Sequence, residues 1–182
     1  MTDKGKAAGA ALARQIENVD DLLVRAYGME VEAADRYEDF SGQMELHNNR
    51  EVAALFRDLA KIERKHAEQL AADLTKRGVG ITARAALSNA NEEGAETAPI
   101  DSLHYLMTPY HALEIALANE QRAVDLFSAL IASTTREDVR EAAREFEEEE
   151  IEHVRLIKQW LAKVEKPSAD WAQDFDEPRN ID

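Results

Sequence analysis

The segment EEEEIEHVRLIKQW, residues 147–160, lies in a run of sequence that is typical of one long amphipathic helix. Apolar residues recur at intervals of three and four on both sides of its centre, at Val139, Ala143, Phe146, Ile157, Trp160 and Val164. The intervening positions of the same phase carry Glu150 and His153. Burying an ionised carboxylate without a partner is strongly unfavourable. The helix therefore places two polar groups where core side chains are expected, and they require a chemical explanation.

The charge of the chain limits its partners. Its 182 residues are enough for one domain with a sizeable core, and they carry a net charge of −15. Nucleic acids and anionic membrane surfaces bind basic patches, so we expect neither as a partner, whereas cations suit this charge. No apolar run approaches the length of a membrane span. The first residues, MTDKGKAAGAALARQ, lack the apolar core of a signal peptide, so we expect a cytoplasmic protein.

The composition also limits the chemistry of any site. The sequence contains no cysteine, which excludes disulfides, zinc–thiolate sites, iron–sulfur clusters and rubredoxin-type iron sites. Only seven glycines and four prolines are available to interrupt helices. The abundance of Ala, Leu, Glu and Arg favours helix.

Apolar periodicity predicts four long helices. They span about residues 18–47, about 50–77, about 109–132, and from near Thr135 to before Pro167. Gly78 is expected to end the second helix. Thr108 followed by Pro109 is typical of a helix N-cap and a proline at the first helical position. A short helical piece is predicted at residues 101–107, and the weakly periodic residues 78–100 are predicted to form a crossover connection.

The connections between these helices predict the fold. Short turns join helices 1 to 2 and 3 to 4, whereas the long middle connection lets helix 3 start at the other end. We therefore predict an all-α fold, a ferritin-like antiparallel four-helix bundle with a long crossover between helices 2 and 3. The bundle is expected to occupy residues 18–166, with an N-terminal extension at 1–17 and an acidic C-terminal tail at 167–182.

Each of the four apolar stripes carries a glutamate near its middle, and two carry a histidine three residues later. These residues are Glu30, Glu63, His66, Glu120, Glu150 and His153. A three-residue step keeps glutamate and histidine on one helix face. The stripes hold no Lys or Arg, whereas two divalent cations would balance four carboxylates. One Glu from each of two helices, with Glu-x-x-His from each of the other two, is the ligand set of di-iron and di-manganese carboxylate bundles, so we predict a two-metal site.

The two halves of the chain repeat this order. EVEAADRY, residues 30–37, parallels EQRAVDLF, residues 120–127, with Ala, Asp and an aromatic residue at equivalent places. Each is followed at a similar distance by Glu-x-x-His, which indicates a duplicated helical hairpin. A single Glu-x-x-His in an acidic helical protein is usually a solvated face, but two in core phase favour metal ligands. The remaining histidines, His47, His104 and His111, are expected at turns, on the surface or at a helix start.

From these motifs, roughly residues 20–165 resemble the rubrerythrin-like branch of the ferritin-like superfamily. The resemblance is carried by EVEAADRYEDF (30–40), KIERKHAEQL (61–70), ANEQRAVDLF (118–127) and EEEEIEHVRLI (147–157). It implies that Glu30 and Glu120 are terminal carboxylate ligands, one for each ion. Glu63 and Glu150 would be carboxylates that bridge the two ions, and His66 and His153 would be the nitrogen ligands. It further implies that Tyr37 is a candidate catalytic residue that hydrogen-bonds a carboxylate of the site.

The sequence departs from the rubrerythrin pattern at two points. Rubrerythrins carry a further glutamate one turn after the ligand of helix 3, and Ala123 stands there. They usually append a cysteine-ligated rubredoxin domain, which this chain lacks, so an external electron donor is expected. The six-ligand set is similar to that of generic ferritin-like di-iron oxidases. Asp35 and Asp125 occupy equivalent places in the two halves and either orient the ligand histidines or are surface aspartates.

The resemblance implies redox chemistry at two iron ions with O₂ or hydrogen peroxide, as ferrous oxidation or peroxide reduction. Manganese, or a mixed manganese–iron pair, suits the same ligands. An alternative is a non-catalytic iron storage or delivery protein of ferritin-like type. A metal-free interaction protein, with Trp171 and Phe175 contacting a partner, leaves the core glutamates unexplained. A homodimer is the expected assembly.

Overall fold

The computed structural model describes residues 11–80 and 103–172. All regular structure in these two ranges is helical, which confirms the predicted all-α class. Four long helices follow in order: α1 Val19–Leu46, α2 Arg50–Lys76, α3 Pro109–Ser133 and α4 Glu137–Leu161. Within the described residues, no helix is both long and apolar enough to cross a membrane.

The helices form two hairpins. The first hairpin pairs α1 with α2 and the second pairs α3 with α4, and packing between the two hairpins is less extensive. A tight turn joins α1 to α2, with Asn48 in the left-handed region at φ 57°, a conformation that Asn tolerates better than most residues. This arrangement confirms the predicted ferritin-like bundle. The predicted crossover falls largely on residues 81–102, which lie outside the described residues.

Side chains set where the helices begin. Asn18 accepts a hydrogen bond from the Asp21 amide at the start of α1. Thr108 is the N-cap of α3 and Pro109 its first residue, as predicted. His111 adds to this start, because its Nδ1 accepts a hydrogen bond from the Thr108 amide at 3.0 Å. Backbone amides that a helix cannot satisfy internally thus find partners.

Asn49 has a wider role than the other caps. Its side-chain oxygen accepts from the Val52 amide at the start of α2. Its Nδ2 donates to the Met107 carbonyl at 2.7 Å and to the Tyr105 carbonyl at 3.2 Å. One side chain therefore joins the turn of the first hairpin to the segment that precedes the second hairpin.

The apolar core is divided into two clusters. The Phe56 cluster draws on all four helices, with Tyr37, Phe40, Met44, Val52, Phe56, Leu59, Leu113, Ala116 and Ile157 among its members. The Leu130 cluster lies further along the bundle and includes Leu12, Ile16, Leu22, Ala26, Leu126, Phe127, Leu130, Val139 and Ala143. On every helix the predicted ligand falls between the residues of the two clusters. The glutamates and histidines thus occupy a polar layer inside an otherwise apolar bundle.

One local prediction differs from the structure. The described part of the predicted short helix, residues 103–107, is a turn in which His104 Nδ1 accepts from the Leu106 amide, so a side chain competes for the backbone donor that a helix would use. Helix α4 ends at Leu161, before Pro167 as predicted, and Val164 and Trp171 in the segment that follows pack against the Phe56 cluster.

The described part of the N-terminal segment packs against the bundle. Residues 11–15 are helical, and Leu12 and Ile16, four residues apart on one face, are buried in the Leu130 cluster. The predicted domain boundary at residue 17 stays a prediction.

Replacing Asn49 with alanine is expected to destabilise the protein by about 2 kcal/mol, because the change removes a helix cap and two hydrogen bonds between hairpins. Asn18→Ala is the matched control, since it removes a cap alone, and it is expected to cost about 1 kcal/mol. Urea unfolding of the two variants measures the difference. Equal destabilisation would show that the bonds to Tyr105 and Met107 contribute nothing.

Candidate metal centre

The structure brings all six predicted ligands into the polar layer. Glu63, Glu120 and Glu150 are buried, with 5–7% of their surface exposed. The other three side chains are mostly buried, Glu30 at 15% exposure and His66 and His153 at 24% and 22%. Carboxylates this deep are rare unless they are paired or bind a cation.

The ligands form two equivalent groups, one in each hairpin. Glu30, Glu63 and His66 form the first group, and Glu120, Glu150 and His153 form the second. In each group the candidate ligand atoms lie within 4.8 Å of one another. The predicted duplication is therefore present in space, because each hairpin supplies two carboxylates and one imidazole to its own group.

The two groups meet at their histidines. The rings of His66 and His153 stack across the hairpins, with centroids 4.6 Å apart and planes inclined by 5°. This contact brings the two candidate sites side by side, as a pair of metals bridged by carboxylates requires.

The distances within each group suit a cation. His66 Nδ1 lies 3.7 Å from Glu30 Oε2 and 3.6 Å from Glu63 Oε2, and His153 Nδ1 lies 3.3 Å from both Glu120 Oε2 and Glu150 Oε2. Ligand atoms about 2.1 Å from a transition metal are themselves roughly 3 Å or more apart at ordinary bond angles. The group is open enough for an ion.

One buried nitrogen atom, Nδ1 of His66, has no hydrogen-bond partner. His66 Nδ1 is shielded from solvent and makes no hydrogen bond, and both neighbouring carboxylate oxygens exceed hydrogen-bonding distance. An imidazole nitrogen that faces two carboxylates without bonding either is positioned to bind a cation between them. The residues present therefore fit a metal ion.

Protons take the place of the cation when no metal is bound. Burial raises the pKa of Glu30 to about 8, and it raises the pKa of Glu120 to about 8. Glu30 and Glu63 raise the pKa of His66 to about 9. Burial lowers the pKa of His153, but Glu120 and Glu150 outweigh it and raise that pKa to about 11. Every shift has the same result, because each group retains protons that the isolated side chains would lose.

Tyr37 lies beside the site but has a different partner from the one predicted. It is fully buried, and its hydroxyl accepts a hydrogen bond from Asn119 Nδ2 at 2.9 Å. The expected bond to a carboxylate is not formed. Burial raises its pKa well above the usual range. Asn119 was not predicted from the sequence, and its position directly before Glu120 is the only signal that could have identified it.

A small cavity adjoins the carboxylates between α1 and α3. Its volume is about 40 Å³. It is lined by Met29, Glu30, Glu32, Ala33, Tyr37, Glu63, Asn119, Glu120, Ala123 and Glu150. Ala123, which stands where rubrerythrins are expected to have a glutamate, forms part of the wall. The absence of that longer side chain leaves space next to the ligands.

A larger acidic groove opens on the histidine side of the site. It has a volume of about 630 Å³ and reaches both His66 and His153. Its wall includes Asp73, Glu145 and Glu149. Negative charge along such a groove raises the local concentration of cations.

The two predicted histidine-orienting aspartates are not seen in that role. Asp35 is exposed and accepts a hydrogen bond from Arg64 at 2.8 Å, so it belongs to an ion pair between α1 and α2. Asp125 is partly buried. For both histidines, the charged neighbours that the structure gives are the glutamates of their own groups.

The metal-free protein is expected to lose stability as pH rises from 6 to 9. A glutamate whose folded pKa is near 8 stabilises the fold below its ordinary value of 4.5, and this contribution disappears as pH rises through 8. The stability contributed by the two histidines is complete below pH 6.5. It is lost as the pH rises through about 9 for His66 and through about 11 for His153. Urea unfolding across this range measures the slope. Glu30→Gln should reduce it and the exposed Glu148→Gln should not, and a slope that is flat or positive would contradict the assignment.

Comparison with known proteins agrees with this geometry. A sequence profile of the rubrerythrin family matches residues 21–161, which include most of all four long helices. The crystal structure of an uncharacterized conserved protein from Magnetospirillum magnetotacticum MS-1 is similar, with a TM-score of 0.60 and 30% sequence identity. The similarity covers 83% of this chain and 98% of that chain. Comparison with curated proteins finds no match. On the family profile and the structural likeness, the chain belongs to the rubrerythrin family.

Proposed function

We propose that the protein is a di-iron carboxylate oxidoreductase that reacts with O₂ or hydrogen peroxide, by ferrous oxidation or by peroxide reduction. The observation that carries this proposal is the pair of buried Glu–Glu–His groups that meet at the stacked rings of His66 and His153. Family membership supports the same ligand set. Manganese, or a mixed manganese–iron pair, would be held by the same residues.

Each side chain has a role in this proposal. Glu30 and Glu120 would each bind one ion, Glu63 and Glu150 would bridge the two, and His66 and His153 would bind through Nδ1. When bound, two ferrous ions supply the two electrons that convert O₂ to peroxide, or H₂O₂ with two protons to two water molecules. The four carboxylates offset the charge of the ions. They also exchange protons for metal, so metal binding is expected to strengthen as pH rises.

The small cavity suits a small oxidant. Its volume of about 40 Å³ is enough for O₂ or hydrogen peroxide beside the carboxylates. Electrons for repeated turnover would come from an external donor, and we propose a homodimer in the cytoplasm as the working form.

Alanine substitution of either bridging residue, Glu63→Ala or Glu150→Ala, is expected to abolish two-metal binding, because each removes a ligand shared by both ions. The protein is loaded anaerobically with Fe²⁺, its metal content is measured by mass spectrometry, and absorbance is followed after addition of peroxide or air. Wild type should retain close to two irons per chain and develop near-ultraviolet ferric bands, and the faster oxidant identifies the reaction.

Glu148→Ala is the matched control for this experiment. Glu148 is exposed and lies two residues before Glu150 on the same helix, so its loss should leave metal content unchanged. If the Glu63 and Glu150 variants oxidised Fe²⁺ at the wild-type rate, the ligand assignment would be wrong.

The acidic groove supports the alternative, non-catalytic storage or delivery of iron, because it suits cation uptake towards the histidines. The two functions differ in stoichiometry and in size. Storage is expected to give a large hollow assembly holding many irons per chain, whereas the redox proposal expects a small oligomer with two. Sedimentation combined with iron analysis after aerobic loading distinguishes them, and a large iron-filled particle would favour storage.

A further inference from the structure

The duplicated hairpins allow the two sides of the small cavity to be compared position by position. The residue before the first ligand is Met29 in one half and Asn119 in the other. Ala33 and Ala123 are equivalent, three residues after the ligand, and both line the cavity. The cavity wall is therefore symmetric at the alanines and asymmetric at the residue that precedes each ligand.

A second asymmetric pair lies one turn further along. Tyr37 follows Glu30 by seven residues, and Phe127 follows Glu120 by seven. Tyr37 lines the cavity, whereas Phe127 is buried in the Leu130 cluster against Phe146. Each half therefore has a polar residue at only one of these two positions, Tyr37 in the first half and Asn119 in the second. These two side chains are hydrogen-bonded to each other across the hairpins at 2.9 Å.

The direction of that bond is fixed by a third residue. Arg122, one turn along α3, donates to Asn119 Oδ1. The amide oxygen is therefore occupied by the guanidinium, and the Nδ2 group faces Tyr37. Both Asn119 and Tyr37 are buried, at 8% and 0% exposure, so the bond is shielded from bulk solvent.

The consequence concerns the hydroxyl proton of Tyr37. A phenol has one proton to donate and can also accept a hydrogen bond. Because Asn119 donates to the Tyr37 oxygen, the Tyr37 proton cannot be used in this bond. Among the described residues, no carboxylate accepts it, and Tyr37 borders the cavity beside Glu63 and Glu120. The proton is left for a molecule inside the cavity.

We propose that Asn119 is a positioning residue that orients Tyr37 to donate a hydrogen bond to a small oxygen species in the cavity, on one side of an otherwise duplicated site. The identity of that species rests on the proposed function, whereas the Asn119–Tyr37 contact does not. The asymmetry makes the two metal positions inequivalent, because Tyr37 has no hydroxyl-bearing counterpart in the other half, where Phe127 occupies the equivalent position.

The contact is tested by NMR on the metal-free protein, without any reaction. The side-chain amide resonance of Asn119 is assigned by its loss in Asn119→Leu. In Tyr37→Phe the ring is kept and only the acceptor oxygen is removed, so the Asn119 amide protons should shift upfield. Met29→Leu, a change at the equivalent position of the other half, should leave that resonance unshifted. No shift in Tyr37→Phe would overturn the inference.

The functional role is tested by a double-mutant cycle on the iron-loaded protein. Asn119→Leu and Tyr37→Phe are each expected to slow single-turnover oxidation by peroxide about tenfold, the effect of one hydrogen bond, with iron content unchanged. The double variant should be no slower than Tyr37→Phe alone, since Asn119 acts through Tyr37. Additive losses, or loss of iron in Asn119→Leu, would overturn the role. If wild type reacts with neither oxidant, the proposed function fails, and the amide resonance still decides whether Asn119 positions Tyr37.

Discussion

The burial of four carboxylates and two imidazoles halfway along an apolar bundle is the constraint on which the rest of the structure depends. These groups divide the core into two clusters, and every helix contributes to the layer between them. Charge buried in this way has to be neutralised by protons or cations. In the metal-free protein, the raised pKa values of Glu30 and Glu120 show that protons have this role. A cation that replaces them links metal binding directly to stability.

The same layer connects two hairpins that pack less extensively with each other than internally. Each hairpin completes its own Glu–Glu–His group. The contacts that join the two hairpins within this layer include the stacked rings of His66 and His153 and the bond from Asn119 to Tyr37. Carboxylates that bridge two ions would add to these contacts, so the metal pair is expected to strengthen the association of the hairpins as well as to supply chemistry.

Several features were predictable because they depend on periodicity or on local chemistry. The six candidate ligands interrupt apolar stripes that are otherwise regular, so a polar residue in core phase is visible without a structure. Thr108 and Pro109 specify a helix start through backbone donors that are adjacent in sequence. Other features depend on competition between neighbours. Residues 103–107 form a turn because the His104 side chain accepts a hydrogen bond from the Leu106 amide. The spacing of apolar residues carries no information about that contact.

The sequence by itself determined the fold class, the six candidate ligands and the repeat of their order in the two halves, since each follows from residue spacing along single helices. Only the tertiary structure decided which candidate ligands share a group and which side chain is hydrogen-bonded to Tyr37. It also decided that a cavity lies beside Ala123. The physical reason is that these properties depend on the distance between side chains on different helices. Tyr37 and Asn119 are far apart in sequence, and the geometry of hairpin packing alone brings their polar atoms within 2.9 Å.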